Sequence, residues 1–576
     1  MAIDSRAESK TQSARQPEQM EGKRLTGAQI LLECLAIEGV EVVFGMPGGA
    51  LLPLYDALPE SRLRHVLVRH EQAAAHAADG YARAAGKVGV CFGTSGPGAT
   101  NLVTGIATAH MDSSPVVAFT GQVATNLIGK DSFQEIDITG ITLPITKHNF
   151  LVRRVEDLAP TIKEAFHLAS TGRKGPVLID VPKDVQVGAC TFQYPRTINL
   201  RGYKPTVFGN IRQVRAAAQM INQSHRPLII AGRGIILSRA YDELRAFADK
   251  ADAPVITTLL GLSSFPDSHR LNFGMIGMHG MAYANKAVTA ADVIIAVGMR
   301  YDDRATGKAS NFAPGAKMIH IDIDPAEIGK NIRVDVPIVG DVKNVLAQIL
   351  RLTESRDHTP WVTQLCQWRV QHPATVVRES EKVLPQYVIR QIYEATGGNA
   401  TVIADVGQNQ MWAAQHFWYD RPNSYVTSGG LGTMGFSLPA AIGVQMAQPD
   451  ETVWVAVGDG GVQMNIQELA TIAQENLPIK VAILNNGYLG MVRQWQEIFY
   501  QQRYTATRLQ NPDFAKLAEA YGIMGLTVRT KAEVSPAIQR ALHHSGPVVI
   551  DFQIEPEENV FPMVPPGSTL SDMMYD

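Results

Sequence analysis

The chain has 576 residues, and because one hydrophobic core stops growing at roughly 250–300 residues, several domains are expected. A composition of 45% apolar and 19% charged residues excludes wholesale disorder, and 52 basic against 55 acidic side chains exclude the broad basic surface that a nucleic-acid partner needs. Cys34, Cys91, Cys190 and Cys366 stand singly without a CxxC pair, the usage of a reducing, cytoplasmic compartment.

Residues 1–24 are rich in Ser, Gln, Glu and Arg, lack the apolar centre of a secretory signal, and read as a disordered arm. Beyond them, short β-branched runs alternate with Ala-rich stretches of helical period, the signature of parallel sheets covered by helices. Three doubly wound α/β domains are expected, at residues 25–190, 205–352 and 384–554. Residues 195–205 and 353–381 read as linkers, and residues 555–576, with Pro562, Pro565, Pro566 and Gly567, as a tail laid over the surface. Apolar stretches such as residues 290–297 are about half of the roughly 18 residues that a membrane span requires, so no membrane partner is expected.

In chain order, a strand at residues 63–70 is followed by an Ala-rich helix opening at Glu71. A second unit runs from a strand at 88–92 through a turn with Gly93, Gly96 and Gly98, Asn101 and a helix to a strand at 116–119. The middle block carries strands at 290–297, ending in Gly298 and Arg300, and at 318–321, ending in Asp322. The third block repeats the layout of the first: strand 453–457, turn Gly458 and Gly460, Asn465, helix, strand 481–484. Both an internal duplication and the general likeness of βαβ units account for that correspondence.

Several tempting motifs fail. Residues 93–97 lack the second spacer of a G-x-S-x-G nucleophile elbow, and His70-Glu71 has alanine where a zinc protease has its second His. Gly307-Lys308 lacks the upstream glycine of a P-loop, and Gly232-Arg233-Gly234 is a fragment of the dinucleotide fingerprint. What remains is Gly458-Asp459-Gly460-Gly461 after one strand and Asn485-Asn486 after the next. Parallel strands one crossover apart can be neighbours, which puts Asp459 and Asn486 at one carboxyl edge. One carboxylate and one amide oxygen are a sensible protein share for Mg²⁺, which keeps waters and phosphate oxygens, and the glycines let N–H groups approach a diphosphate.

This pair is the thiamine diphosphate signature. Together with residues 427–436 (TSGGLGTMGF), 485–495 (NNGYLGMVRQW), 44–50 (FGMPGGA), 94–101 (TSGPGATN), 69–76, 173–185, 300–308 and 563–567, it makes the chain resemble the acetohydroxyacid synthase family, large catalytic subunit, from about residue 25 onward. The resemblance implies the thiamine diphosphate enzyme fold and the conversion of two 2-keto acids to acetolactate or acetohydroxybutyrate. Glu71 then activates the aminopyrimidine, Met434 supports the bent cofactor, and the Gly432 carbonyl accepts from its amine. Gln408, Asn409, Gly458, Asp459, Gly460, Gly461, Asn486, Leu489, Gly490 and Met491 complete the cofactor contacts by resemblance, with the Tyr488 carbonyl joining Asp459 and Asn486 on Mg²⁺.

For FAD the resemblance implies Arg173, Gly232, Gly234, His279, Gly298, Arg300, Asp302, Arg304, Asp322 and Asp341. From spacing alone, the acids at the middle strand ends are equally charged helix caps. Arg304 and Trp495 match the family's acceptor-recognition pair, Gln134 and Lys183 further pocket positions, and Gly49 a backbone donor toward the forming alkoxide. A homodimer or homotetramer and a small regulatory subunit are the implied partners. Three positions depart from the family pattern: Asn409 replaces a histidine, Gly461 a serine and Met46 an aromatic residue. On that reading Gly461→Ser is expected to tighten thiamine diphosphate binding. The rivals are pyruvate oxidase, a catabolic acetolactate synthase without FAD, and a non-catalytic flavin- or nucleotide-binding subunit, which has no use for Glu71.

Overall fold

β-Branched runs such as Val177–Pro182 and Val453–Gly458 are buried along their lengths, as strands covered on both faces must be. The computed structural model describes residues 20–373 and 376–575. It contains three six-stranded sheets, and every strand pair within them is parallel. Numbering the strands of each sheet from one to six in chain order, the first and third sheets share the order 2-1-3-4-6-5, whereas the middle sheet runs 3-2-1-4-5-6. The faint correspondence between the first and third blocks is therefore topological identity, which a general likeness of βαβ units does not produce.

That order decides where ligands can sit. In an open α/β sheet the crevice lies at the carboxyl ends of strands where the winding reverses. In the middle sheet the reversal falls between Pro227–Ala231 and Val293–Val297, which deliver Gly232 and Gly298. In the third sheet it falls between Thr401–Ala404 and Val453–Gly458, which deliver residues 405–409 and Asp459.

The first and third modules are joined by the Glu71–Ala85 and Ser437–Ala447 helices, which cross at backbone contact. A Cβ at Gly80 would overlap the Ala440 carbonyl oxygen, and one at Gly443 would overlap that of Ala77. At the far end of the first helix, the buried Arg83 donates to Asp79 at 2.7 and 2.8 Å, to Asp112 at 2.8 Å and to the Thr427 carbonyl at 2.8 Å. Asp112 in turn accepts from the N–H groups of Gly429 and Gly430. Burial opposes the Arg83 charge, yet Asp79 and Asp112 hold its pKa above the ordinary value.

Three expected boundaries change. The arm does not reach residue 24: Met20 is buried, Gly22 N–H donates to the Phe192 carbonyl, and Arg24–Thr26 pairs with Ala189–Thr191. The remainder of the arm, residues 1–19, lies outside the described residues. The segment read as a linker at 353–381 holds the Thr359–Gln371 helix, whose Trp361 and Leu365 are buried against the middle module. Its polar composition conceals an anchor of two side chains. The tail is threaded rather than laid over the surface, because Val560, Met563 and Val564 are buried and Val564 N–H donates to the Met278 carbonyl. Among the described residues no helix is long and apolar enough to cross a membrane.

Adding one methyl group at the helix crossing must push the two backbones apart. We expect Gly443→Ala to cost about 1–3 kcal/mol in a denaturant titration, whereas Gly315→Ala, with open space around its added Cβ, leaves the midpoint in place.

Candidate functional site

Asp459 opens a short helix directly after its strand and is 1% exposed. One carboxylate oxygen accepts from the Asn511 amide at 2.6 Å, and burial pushes the carboxyl pKa up to about 6 against the hydrogen bonds it receives. Asn486 follows the neighbouring strand: Gly458 stands opposite Leu484 in the register, so the two polar side chains leave one edge. The Asn486 amide donates to Gln408 Oε1 at 3.2 Å, and its oxygen accepts from Tyr488 N–H at 3.1 Å. Gly490 packs so tightly on Gln408 and Asn486 that a side chain there would displace both. Leu489 and the Met434 terminal methyl flank the position that a Gly460 Cβ would take, at 2.7 and 3.5 Å.

Gly461 has a reason that sequence reading missed. A Cβ there would stand 2.5 Å from Oδ1 of Asp405, a buried carboxylate. Asp405 cannot yield, since it accepts from Gly435 N–H, Ser437 N–H and the Ser437 hydroxyl at 2.7–3.1 Å. A serine side chain here would collide with Asp405, which argues against the expectation that serine improves this position. Asn409 is buried, donates to the Val406 carbonyl at 3.2 Å, and keeps its amide oxygen without a partner. Met46 is half-buried at the end of the first module's Val42–Gly45 strand.

A cavity of about 880 Å³ lies where the middle and third modules meet the first, which contributes Ser113 and Arg173 among its lining residues. On the third module's side it is lined by Gly407, Gly432, Met491 and Trp495. Arg304, on the opposite wall, places its guanidinium 5.7 Å from the centre of the Trp495 ring, a cation–π contact, and its Nη1 lies 3.6 Å from Met278 Sδ. The cavity continues over Gly234, His279, Gly298, Arg300 and Asp322. Gly232 and Gly234 must be glycine, for a Cβ on either would meet the Gly298 backbone. Gly298 itself has φ +62°, and Gly234 N–H donates to its carbonyl at 3.0 Å.

The acidic residues here divide. Asp302 accepts from the N–H groups of Arg304 and Ala305 at 3.1 Å, and Asp341 from Asn344 N–H and the Ser238 hydroxyl, so both cap helices while facing the cavity. Asp322 is 8% exposed, accepts from Asp324 N–H, and is pushed up to about 6 by burial. Arg173 is engaged with Asp324 at 3.1 Å and Glu327 at 2.7 Å. Arg233, which the motif search treated only as filler between glycines, is half-buried: Nη2 donates to the Ser114 hydroxyl at 3.0 Å, Nε is buried and unpaired, and desolvation brings its pKa down to about 10. His279 is likewise buried with Nδ1 unpaired and pushed down to about 4.

Of the first module's candidates, Arg173 lines the cavity and the others lie elsewhere. Glu71 is buried and accepts from the Asn101 amide at 2.9 Å through Oε2. Its Oε1 lies 3.2 Å from where a Gly98 Cβ would stand. Gln134, at φ +60°, covers Gly96, while Gly49 and Lys183 are exposed just past the ends of their strands. None of Glu71, Gly49, Gln134 or Lys183 lines the cavity that holds Arg304 and Trp495. Within one chain, these four stand apart from that cavity.

Comparison with known proteins matches the three modules. Residues 25–141 match the N-terminal TPP binding domain of thiamine pyrophosphate enzymes, 214–349 the central domain and 405–552 the C-terminal TPP binding domain. The acetolactate synthase of Mycobacterium bovis is 52% identical over 95% of this chain and 91% of its own length. The acetolactate synthase large subunit of Corynebacterium glutamicum is 50% identical over 96% and 90%, and the probable large subunit of Methanocaldococcus jannaschii 49% over 96% and 95%. The chain belongs to the acetolactate synthase large-subunit family.

The residues of this chain fit the groups that such a site would hold. Asp459 and the Asn486 amide leave one strand edge, where a hard cation needs anionic and neutral oxygen ligands, and the Asn409 amide nitrogen lies beside Gly458. The unpaired Arg233 Nε and His279 Nδ1 fit a nucleotide cofactor in the middle module. Because Asp405 occupies the space behind Gly461, we expect Gly461→Ser to weaken thiamine diphosphate binding and lower the melting temperature. Calorimetric titration and thermal unfolding of the variant read these two effects.

Proposed function

We propose that the protein decarboxylates pyruvate and joins the remaining two-carbon unit to a second 2-keto acid, giving acetolactate from pyruvate and acetohydroxybutyrate from 2-ketobutyrate. The observation that carries this reading is the Arg304–Trp495 pair on the wall of the shared cavity. A guanidinium grips a 2-keto acid's carboxylate, and the indole shapes apolar space for its alkyl group. Thiamine diphosphate bound with Mg²⁺ supplies the electron sink for the decarboxylation. Asp459, Asn486 and the Tyr488 carbonyl would hold the metal. Residues 408–409, 458–461 and 489–491, with Gly432 and Met434, would line the cofactor.

Asn101 occupies Oε2 of Glu71, which leaves Oε1 to share a proton with the aminopyrimidine ring. Because Glu71 does not line the Arg304 cavity, we assign the complete site to two copies of the chain in a homodimer or a homotetramer. Exposed apolar residues support this: Leu52, Phe133 and Leu143 on the first module, and Leu431, Met464 and Val492 on the third. FAD would occupy the middle crevice in a structural role, since carboligation with loss of carbon dioxide involves no net redox change. The large-subunit names of the relatives favour a small regulatory subunit, and the unpaired cysteines a cytoplasmic setting.

Holoenzyme with pyruvate, thiamine diphosphate, Mg²⁺ and FAD is expected to form acetolactate; oxygen consumption as the dominant outcome would instead favour an oxidase. Glu71→Gln should lower turnover by about 10²–10⁴-fold while retaining flavin absorbance. Arg304→Ala should raise the pyruvate KM and depress carboligation while the protein keeps its metal affinity.

A further inference from the structure

The first and third modules meet a second time just before Glu71. The Arg64–Leu67 strand ends four residues ahead of that glutamate; Val68 N–H still pairs with the Gly45 carbonyl at 3.3 Å, and the turn begins at Arg69. Glu468 reaches the turn from the third module: Arg69 N–H lies 3.0 and 3.2 Å from its two carboxylate oxygens. Thr471, one helical turn on, places its hydroxyl 2.7 Å from Glu468 Oε2 and 3.2 Å from the Leu67 carbonyl oxygen. Arg69 donates outward to Gln474 at 2.8 Å, and Arg64 pairs with Glu475.

Glu468 is 0% exposed, and burial pushes its carboxyl up to about 7, so placing an acid here is costly. An ordinary interface contact between two modules has no need of that cost. What the carboxylate touches is the only stretch of backbone between the strand end and the catalytic side chain. His70, between them, caps the helix by accepting Gln72 N–H on its ring Nδ1 at 3.1 Å, and Asn101 holds the Glu71 carboxylate from the other side.

We propose that Glu468 is a positioning residue for Glu71, clamping the Arg69–His70 turn so that Oε1 of Glu71 is aimed at the aminopyrimidine. Glu468 lies in the crossover between Asp459 and Asn486, so the segment joining the two metal-edge residues also sets the glutamate's backbone. The proposal rests on the acetolactate synthase reading for its catalytic consequence, but not for the clamp itself.

Two readouts separate these. Hydrogen exchange on the holoenzyme should show faster exchange of a peptide covering residues 67–75 in Glu468→Gln, whose amide puts a donor against a donor. In the acetolactate assay, kcat should fall by about ten- to a hundred-fold with the pyruvate KM nearly unchanged, as for a misplaced reacting group. In the Glu71→Gln background the same substitution should cost nothing further, because the residue it aims is already disabled. Unchanged exchange at 67–75, or an undiminished loss in the double variant, would overturn the proposal. If Glu468→Gln does not fold, Thr471→Val decides by the same two measurements, with smaller effects in the same direction. Wild-type enzyme that makes no acetolactate would remove the functional reading and leave the exchange result as the test of the clamp.

Discussion

Everything in the site's layout depends on the crossing of the Glu71–Ala85 and Ser437–Ala447 helices. Two glycines, Gly80 and Gly443, let the backbones touch, and nothing larger fits on either side. The helix that begins at Glu71 is thereby fixed to the module that carries Asp459 and Asn486. At its other end the Arg83–Asp79–Asp112 knot grips the backbone at Thr427, Gly429 and Gly430, the start of the loop that presents Gly432 and Met434. A buried guanidinium flanked by two carboxylates is not a cheap source of stability, but removing one member strands the others, so it specifies one arrangement. The contact fixes the direction in which both half-sites face.

Topology sets the candidates on separate sheet edges. The first and third sheets are wound in one order, and each places its polar residues at its own carboxyl edge: Glu71, Gly98 and Gln134 on one, Asp459, Asn486 and Gly461 on the other. Both modules also carry exposed apolar residues, Leu52, Phe133 and Leu143 on the first and Leu431, Met464 and Val492 on the third. The middle sheet is wound differently, with its reversal at Gly232 and Gly298, and its crevice opens into the same cavity as Trp495. That is how Arg304 and Trp495, from separate modules, come within 5.7 Å.

Much of this was legible in the sequence because it rests on local rules. Strand ends followed by glycine and a polar residue placed Asp459 and Asn486 on one edge, and the register bears that out. The start of a helix at Glu71 was equally visible. Other features resisted because their causes lie far along the chain. Gly461 read as a missing serine until Asp405 was found behind it. Asn511 carries no motif, yet its amide is what touches Asp459. Asp302 and Asp341 cap helices while facing the cavity, a double use that spacing could not apportion.

By itself, then, the sequence determined the kind of fold, the identity of the polar residues at each strand end, and the family to which the motifs belong. These follow from backbone geometry and side-chain chemistry within a few tens of residues. The tertiary structure decided which glycines are obligatory, which carboxylates are already occupied, and that a single chain keeps Glu71 away from the Arg304 cavity. Those outcomes depend on excluded volume and on hydrogen-bond partners supplied by distant segments, and no local pattern encodes which atom will fill the space behind a glycine.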